Sequence, residues 1–240
     1  MAKHVLLNNV DHRNLRIITD RAEKYGDNVM FTTTFPQEFR RIQAYYPIFF
    51  YKDAQTGKIY PAALFGFKDK ENLFLTEKGW DASYVPLTIE RQPFLIGVQR
   101  YQNEGVAKQQ RVIHVDLDNP RVNETEGELL FLAYGGNTPY LEYMASVLEA
   151  IHHGYESNEK FIARLLEFDL LESFVLDIQL KDGSTHQMQG FYTINEEKLN
   201  ALTGDVLAEL NSEYYLQPIY MILASHSNIA KLVERKNSRL

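Results

Sequence analysis

Apolar and aromatic positions dominate the first half of the chain, where their pattern predicts strands. A dense aromatic block runs from Tyr45 to Phe94. Within it, residues 47–52 and 58–67 are apolar on both faces, which is typical of strands covered on both sides of a sheet. The turn residues between these two runs predict a hairpin. β-branched or aromatic runs predict further strands at 31–35, 72–75, 93–101 and 111–117.

Helical spacing takes over in the middle of the chain. Thr138 and Pro139 are typical of the N-cap and the first residue of a helix. Apolar residues at 141, 145, 148 and 151 then mark one helical face. Gly154 predicts the end of this helix, and Ser157 predicts the cap of a second helix over residues 161–168.

A hairpin is predicted in the last third of the chain. Apolar residues alternate along 173–180, Asp182 and Gly183 supply the turn, and residues 186–194 form the returning strand. Thr193 and Glu196 have the spacing of a capping box, which predicts a helix directly after the hairpin.

The order of these elements predicts an α+β fold. Strands come first, and helices, a hairpin and further helices follow, without the regular alternation of a βαβ protein. We expect a mixed or antiparallel, sheet-rich N-terminal half, with helices and a hairpin in the C-terminal half. The chain of 240 residues is predicted to be a single domain, with a strand-rich lobe over 1–135 and a helix-rich lobe over 136–240.

Composition excludes several kinds of chemistry. The sequence has no cysteine, which excludes disulfides, thiolate nucleophiles and cysteine-bound zinc. Its formal net charge of −7 disfavours binding to nucleic-acid phosphates. No stretch approaches the roughly 18 apolar residues of a membrane helix, and the first residues lack the pattern of a signal peptide. We therefore expect a soluble cytoplasmic protein without a membrane span.

Several short motifs follow one another along the chain and share a pattern with a known family. They are Glu38-Phe39, Tyr46-Pro47-Ile48-Phe49-Phe50, Ala63-Leu64-Phe65-Gly66-Phe67, Asn72-Leu73-Phe74, Gly79-Trp80, Tyr84-Val85-Pro86, Arg91, Pro93-Phe94 and Gly190-Phe191-Tyr192-Thr193-Ile194. In this order they resemble the SapC-like family of bacterial proteins. The inserted Phe65 and the direct step from Gly79 to Trp80 are small departures from the family pattern.

The resemblance implies a role but no reaction. The family takes its name from a bacterial surface-layer gene cluster, and a part in surface-layer assembly or transport has been suggested for it. No catalytic residues carry over from the family. We therefore expect a non-catalytic binding or accessory protein without a cofactor, linked to a surface-layer or export/modification system. Whether the chain is an enzyme, and through which catalytic residues, stays open.

Trp80, Tyr84, Arg91 and Phe94 are the candidate ligand-binding residues. Aromatic rings beside one cation suit a small anionic or planar ligand, and a protein partner is the other expectation. The competing interpretation is that Trp80 is packed in the core next to an arginine in a structural salt bridge. In that case Trp80→Ala is expected to cost about 3–5 kcal/mol.

His114 and Asp116 carry an alternative, enzymatic hypothesis. Residues i and i+2 of a strand point to the same side. With a distant histidine such as His186, the pair has the composition of the facial triad in Fe(II) oxygenases. An enzyme of this kind that uses 2-oxoglutarate needs a cation for the cosubstrate carboxylate, and Arg121 or Lys181 would supply it. We prefer the interpretation of a strand histidine beside a turn aspartate, without a metal.

Overall fold

The computed structural model describes residues 3–103 and 106–240, and the chain divides into two compact units. The first unit combines Met1–Asp27 with Leu87–His152, and the second combines Asn28–Pro86 with His153–Leu240. Each unit is thus assembled from segments that are far apart in sequence. The predicted lobes follow chain order instead, and the single domain over 1–240 stays a prediction.

Strands dominate the first half of the chain, as predicted, and every described pairing between them is antiparallel. They are β1 (His4–Leu6), β2 (Arg16–Ile17), β3 (Phe31–Thr33), β4 (Ile48–Lys52), β5 (Ile59–Leu64), β6 (Leu75–Thr76), β7 (Gly79–Trp80), β8 (Phe94–Asn103), β9 (Val106–Asp116), β10 (Val122–Asn123), β11 (Glu128–Leu129), β12 (Leu171–Gln179) and β13 (Thr185–Ile194).

Helices occur mainly in the second half, which confirms the predicted α+β class. They are α1 (Phe39–Ile42), α2 (Leu87–Glu90), α3 (Pro139–Glu167), α4 (Glu196–Asn200), α5 (Gly204–Ser212), α6 (Leu216–Ser225) and α7 (Asn228–Asn237), with a short 3-10 helix at Glu23–Tyr25. None of the helices formed by the described residues has the length and apolarity needed to span a bilayer.

The first unit contains two small antiparallel sheets, with strand orders β1-β9-β8 and β10-β2-β11. β8 and β9 form a long hairpin in which Phe94 lies opposite Val115, and both side chains are fully buried. The two predicted strands are confirmed, but β9 begins at Val106 rather than at residue 111. The added residues include exposed polar side chains. They are strand because their backbones pair with β8, which the side-chain pattern does not report.

A buried ion pair joins distant segments of the first unit. The side chains of Arg121 and Asp27 are both 0% exposed, and Arg121 Nη2 lies 2.5 Å from Asp27 Oδ2. Arg121 Nη1 also donates to the carbonyl oxygens of Ile18 (3.0 Å) and Asp20 (2.5 Å). These hydrogen bonds are needed because they offset the loss of hydration of the buried charges. Removing one partner of a buried ion pair typically costs about 3–5 kcal/mol.

The second unit is built on a five-stranded sheet with the order β12-β13-β4-β5-β3. β4 lies at its centre and its first three residues are buried, as the apolar run predicts. Pro61 lies in β5, which is flanked by β4 and β3. It lies just past the end of β3, where Thr34 N still donates to Pro61 O over 3.0 Å. The proline is tolerated because Thr34 O, the carbonyl that its missing N–H would serve, accepts a hydrogen bond from Asn158 Nδ2 instead.

Helix α3 is continuous, so the predicted break at Gly154 is wrong. Gly154 is buried inside the helix, and an added Cβ would come within 2.6 Å of the ring carbons of Phe35. The glycine therefore allows the Phe35 ring to approach the helix closely, and it does not end the helix. The predicted start is confirmed, since Leu141 N donates to Thr138 Oγ1 over 3.3 Å and the helix begins at Pro139.

Hydrogen bonds fix the second half of α3 to the segment that leaves β3. Every one of them joins a helix side chain to a residue between 33 and 37. They are Tyr155 Oη with Thr33 Oγ1 (2.8 Å), Asn158 Nδ2 with Thr34 O (2.9 Å), and Ser157 Oγ with Gln37 Oε1 (2.9 Å). The helix therefore covers the β3 edge of the sheet.

The predicted C-terminal hairpin is confirmed by β12 and β13, with Gly183 at a φ of 84° in the turn. The helix after it is also confirmed, but its cap differs from the prediction. Asn195, not Thr193, is the N-cap of α4, and its side chain accepts a hydrogen bond from Lys198 N over 2.9 Å. Thr193 remains in β13, because strand pairing continues to Ile194.

Gly154→Ala is expected to lower the free energy of unfolding by about 1–3 kcal/mol, because the new methyl group overpacks against Phe35. At an open helix position the same change raises stability by roughly 0.5–1 kcal/mol. Gly204→Ala is the matched control, since an added Cβ there meets nothing within 4 Å. Urea unfolding of the two variants measures the difference, and a stabilised Gly154→Ala protein would contradict the packing argument.

Candidate functional site

Trp80, the single tryptophan of the chain, belongs to an aromatic cluster in the second unit. The short hairpin of β6 and β7 places it beside Tyr46, Phe65 and Phe74, with ring centroids 6.4, 5.2 and 6.4 Å away. The Trp80 side chain is half-buried. It therefore lies at the margin of the core, less enclosed than a packed core tryptophan would be.

A chain of hydrogen bonds connects this cluster to Tyr84. Trp80 Nε1 donates to Tyr46 Oη over 2.7 Å, and Tyr46 Oη donates to Tyr84 O. Tyr84 Oη donates to Glu38 Oε1 over 2.7 Å, and Thr34 Oγ1 donates to Glu38 Oε2 over 2.6 Å. Burial raises the pKa of Tyr46, so its hydroxyl keeps the proton that it donates.

The structure thus brings Trp80 and Tyr84 together, with their side-chain polar atoms bonded to protein groups. A ligand would meet the aromatic faces, or would have to break these hydrogen bonds. An arginine is present beside the cluster, but it is Arg235, which lies over the Phe74 ring at 4.5 Å and pairs with Asp81 at 2.6 Å. This arrangement agrees with a structural tryptophan at the margin of the core, near the Arg235–Asp81 salt bridge.

Arg91 and Phe94 belong to the first unit. Arg91 Nη1 donates to Phe94 O over 2.6 Å. The Phe94 side chain is fully buried, and its ring lies 6.3 Å from that of Tyr140. The four predicted binding residues therefore form two pairs, one in each unit, and a ligand bound by all four stays a prediction.

His114 and Asp116 lie on β9 in the first unit, and each has a structural role. The His114 ring lies against Gly97 of the neighbouring strand, where an added Cβ would be 2.6 Å from its Cδ2 and Nε2 atoms. Asp116 Oδ1 accepts hydrogen bonds from the backbone nitrogens of Lys3 (3.1 Å) and Asp118 (3.2 Å). These contacts agree with a strand histidine next to a turn aspartate.

The oxygenase hypothesis also requires a distant histidine and a cation for the cosubstrate. His186 lies on β13 of the second unit, opposite Ile178. Arg121 is enclosed with Asp27 and has no exposed surface for a cosubstrate. Within residues 3–103 and 106–240, no group of three or more His, Cys, Asp or Glu side chains could hold a metal ion. The Fe(II) and 2-oxoglutarate hypothesis gains no support, and the absence of a cofactor stays an untested prediction.

Ser225 and His226, a hydroxyl and an imidazole at the end of α6, bind the central strand β4. Ser225 Oγ accepts from Ile48 N over 2.8 Å, and His226 Nε2 lies 3.2 Å from Ile48 O. The imidazole stacks on Phe49 with ring centroids 4.8 Å apart. Burial lowers the pKa of His226, against smaller opposite effects of the Ile48 hydrogen bond and of Glu196.

An apolar groove of about 670 Å³ opens in the second unit, between α3 and the start of β5. The residues that line it come from β3, β5 with its preceding turn, and α3. They are Thr33, Gly57, Lys58, Ile59, Tyr60, Tyr155, Asn158, Glu159, Ile162, Ala163 and Leu166. Lys58 Nζ and Glu159 Oε1, 3.8 Å apart on exposed side chains, form its charged rim. The groove is therefore a mostly apolar space with few polar groups.

Asn158 is the buried polar residue in the wall of this groove. It is 4% exposed, and its Nδ2 donates to Thr34 O. That carbonyl lies opposite Pro61, the residue that would donate to it if it had an N–H. Asn158 thus supplies the hydrogen bond that the proline cannot. Its Oδ1 has no hydrogen-bond partner in the part of the chain that the structure describes.

The sequence carries little signal of this groove. Asn158 did carry a signal, because it lies on the apolar stripe of α3 between Ile151 and Ile162, where a polar residue is unexpected. Tyr60 and Tyr155 carried no sequence signal of a groove. Their proximity results from packing between segments about a hundred residues apart, which no local pattern reports.

Comparison with known proteins identifies a family and no individual relative. A family model described as SapC matches residues 7–232 of the chain. No curated protein and no solved structure matches it.

Tyr46→Phe is expected to lower the free energy of unfolding by about 1–3 kcal/mol, because Trp80 N–H and Tyr84 O both lose their partner. Urea unfolding measures the loss, and the emission maximum of the single tryptophan reports the local change. Tyr220→Phe is the control, since the Tyr220 side chain is 51% exposed. Equal stability of Tyr46→Phe and wild type would show that the hydroxyl carries no net stabilising interaction.

His226 is expected to make the protein less stable as the pH falls below about 6.5, the ordinary histidine pKa. Its pKa is lowered in the folded state, so the unfolded chain takes up the proton first and stability decreases until the folded pKa is passed. His226→Gln should remove this part of the pH dependence. Melting temperatures between about pH 7.5 and pH 5 check it, and an unchanged slope in the variant would exclude His226 as its source.

Proposed function

Because the chain belongs to the SapC family, we propose that it is a non-catalytic binding protein, and that the groove between α3 and β5 holds its ligand. The ligand is a small, largely apolar molecule, extended or planar in shape. The observation that carries the proposal is the groove itself, with its volume of about 670 Å³ and its mostly apolar wall. Ligand sites in proteins have typical volumes of about 300–1,000 Å³ and combine such a wall with a few polar groups.

The position of the groove also supports a binding role. Its wall includes half-exposed and exposed apolar side chains, among them Leu166 at 54% exposure. A ligand would remove this surface from water, at a gain of roughly 25 cal/mol per Å² of apolar area. The hydrogen bonds between α3 and the β3 exit fix both walls, so that little ordering would be needed on binding.

The wider part of the proposal rests on the family resemblance alone. We propose an accessory role in a bacterial surface-layer or export/modification system, with a protein partner and a cytoplasmic location. Trp80 and Tyr84 of the second unit and Arg91 of the first remain separate proposed contacts for an anionic or planar group, whereas the fully buried side chain of Phe94 offers a ligand no surface. Deleting the gene and measuring the surface-layer protein at the cell surface tests the link, and an unchanged surface layer would remove it.

Binding of Nile red, an apolar planar dye without a hydrogen-bond donor, tests the groove. We expect saturable fluorescence enhancement with the wild-type protein. Ala163→Phe should weaken binding at least about tenfold, equivalent to about 1.4 kcal/mol, because the new ring fills the groove from an exposed helix position.

Ala208→Phe is the matched control. Ala208 is also an exposed alanine on a helix of the second unit, and it does not line the groove. Tight binding to Ala208→Phe and weak binding to Ala163→Phe would support the proposal. Absence of saturable binding, or equal binding by both variants, would overturn it.

A further inference from the structure

We propose that an apolar tip on the first unit docks the protein on the surface of a phospholipid bilayer with zwitterionic headgroups. The tip consists of two contacting loops, residues 8–13 and 132–136, and its apolar side chains are those of Val10, Leu132 and Tyr134. It is separate from the groove between α3 and β5, which lies in the second unit. Side chains inserted at the interface suffice for a reversible contact, so no helix has to span the bilayer.

The three apolar side chains of the tip are unusually exposed. The exposed fraction is 81% for Val10 and 49% for Leu132, and Tyr134 is fully exposed. Single exposed apolar residues are common on protein surfaces, but a group of three on contacting loops indicates an interaction site. A tyrosine suits the bilayer interface, where its ring meets acyl chains while its hydroxyl stays among the headgroups.

Side-chain hydrogen bonds join the two loops of the tip. Asn9 Nδ2 donates to Gly135 O over 2.7 Å, and Arg13 Nη2 donates to Ala133 O over 2.9 Å. Asn9 and Gly135 directly adjoin two of the exposed apolar residues in the chain. The loops therefore present these side chains together, and little ordering is needed when they meet a partner.

The backbone of the second loop is already hydrogen-bonded, which suits an environment poor in water. Its carbonyls at Ala133 and Gly135 accept hydrogen bonds from side chains of the first loop. Its carbonyls at Leu132 and Gly136 accept from the backbone nitrogens of Gly135 (2.9 Å) and Leu132 (2.6 Å). Backbone groups without a partner are costly to place in lipid. This loop can therefore enter the interface with its side chains at a low cost in lost hydration.

The charges of the tip match a zwitterionic headgroup. Apart from His12, the charged side chains of the two loops are Asp11 and Arg13, one of each sign. A guanidinium has five N–H donors and binds phosphate well, and a carboxylate attracts the headgroup ammonium. The formal net charge of the chain, −7, opposes contact with an anionic surface. A zwitterionic bilayer is therefore the surface that this chain fits.

An apolar groove of about 390 Å³ adjoins the tip in the first unit. Leu7 directly precedes the first loop, Phe131 and Asn137 flank the second, and all three line the groove. Leu6, another lining residue, is 40% exposed. Apolar surface thus continues from the tip into the groove. An acyl chain that leaves the bilayer is narrow and apolar enough to enter this space, which favours lipid over a folded protein as the partner.

Flotation with vesicles of phosphatidylcholine and phosphatidylethanolamine tests the proposal on the full chain. We expect the wild-type protein to bind reversibly, with a bound fraction that rises and saturates as lipid is added. The double variant Val10→Ser, Tyr134→Ser should bind at least about tenfold more weakly, equivalent to about 1.4 kcal/mol. Two apolar side chains then no longer leave water at the interface.

The double variant Val98→Ser, Tyr214→Ser is the matched control. It removes the same atoms from positions outside the tip that are also exposed, at 61% and 85%. Equal melting temperatures establish that both variants are folded. Unchanged vesicle binding by the control, with weakened binding by the tip variant, would support the proposal. Equal weakening in both variants would overturn it, because the apolarity of the whole surface would then be responsible.

The composition of the vesicles tests the choice of headgroup. Replacing phosphatidylethanolamine by phosphatidylglycerol should weaken binding, because the surface becomes anionic. Stronger binding to these anionic vesicles would overturn the proposal of a zwitterionic surface. Absence of binding to both kinds of vesicle would overturn lipid docking altogether and leave a protein as the partner of the tip. Neither result would affect the binding of Nile red in the other unit.

Discussion

The attachment of α3 to the segment leaving β3 is the interaction on which the second unit and its groove depend. Gly154 admits the Phe35 ring, and Asn158 supplies the hydrogen bond that Pro61 cannot give to Thr34. Without these contacts, the helix would have no fixed distance from the sheet, and the space between them would have no defined shape. One proline in β5 thus explains why a polar residue interrupts the apolar stripe of a helix that follows nearly a hundred residues later.

In the first unit, a buried ion pair fixes distant segments of the chain to each other. Arg121 and Asp27 are both fully buried, and the guanidinium also binds the carbonyl oxygens of Ile18 and Asp20. Buried ion pairs contribute little net stability compared with apolar packing, but their hydrogen-bond geometry tolerates few alternatives. In this unit the pair defines how the first 27 residues meet the segment around residue 121. Because its guanidinium is buried and already bound to these groups, Arg121 is a poor partner for any substrate.

Much of the fold could be predicted from the sequence because its strongest signals are local. The Thr138-Pro139 start of α3, the Asp182-Gly183 turn and the buried run of β4 each depend on residues close together in the chain. Gly154 was misinterpreted because a glycine that ends a helix and one that admits a neighbouring ring have the same sequence pattern. Thr193 was misinterpreted because capping-box spacing also occurs at the end of a strand. The groove was missed because it is made by β5 and α3, whose proximity only the folded chain reveals.

The interleaved construction of the two units has a consequence for biosynthesis. β4 pairs with β13 through Phe50 and Tyr192, and β1 pairs with β9 through His4 and Asp116. Translation begins at the N-terminus, so about 140 further residues are synthesised after β4 before β13, the strand that pairs with it, is present. Contacts of such long range slow folding and leave unpaired strand edges exposed in the meantime. The nascent chain is therefore a natural client for chaperones that shield aromatic segments during elongation.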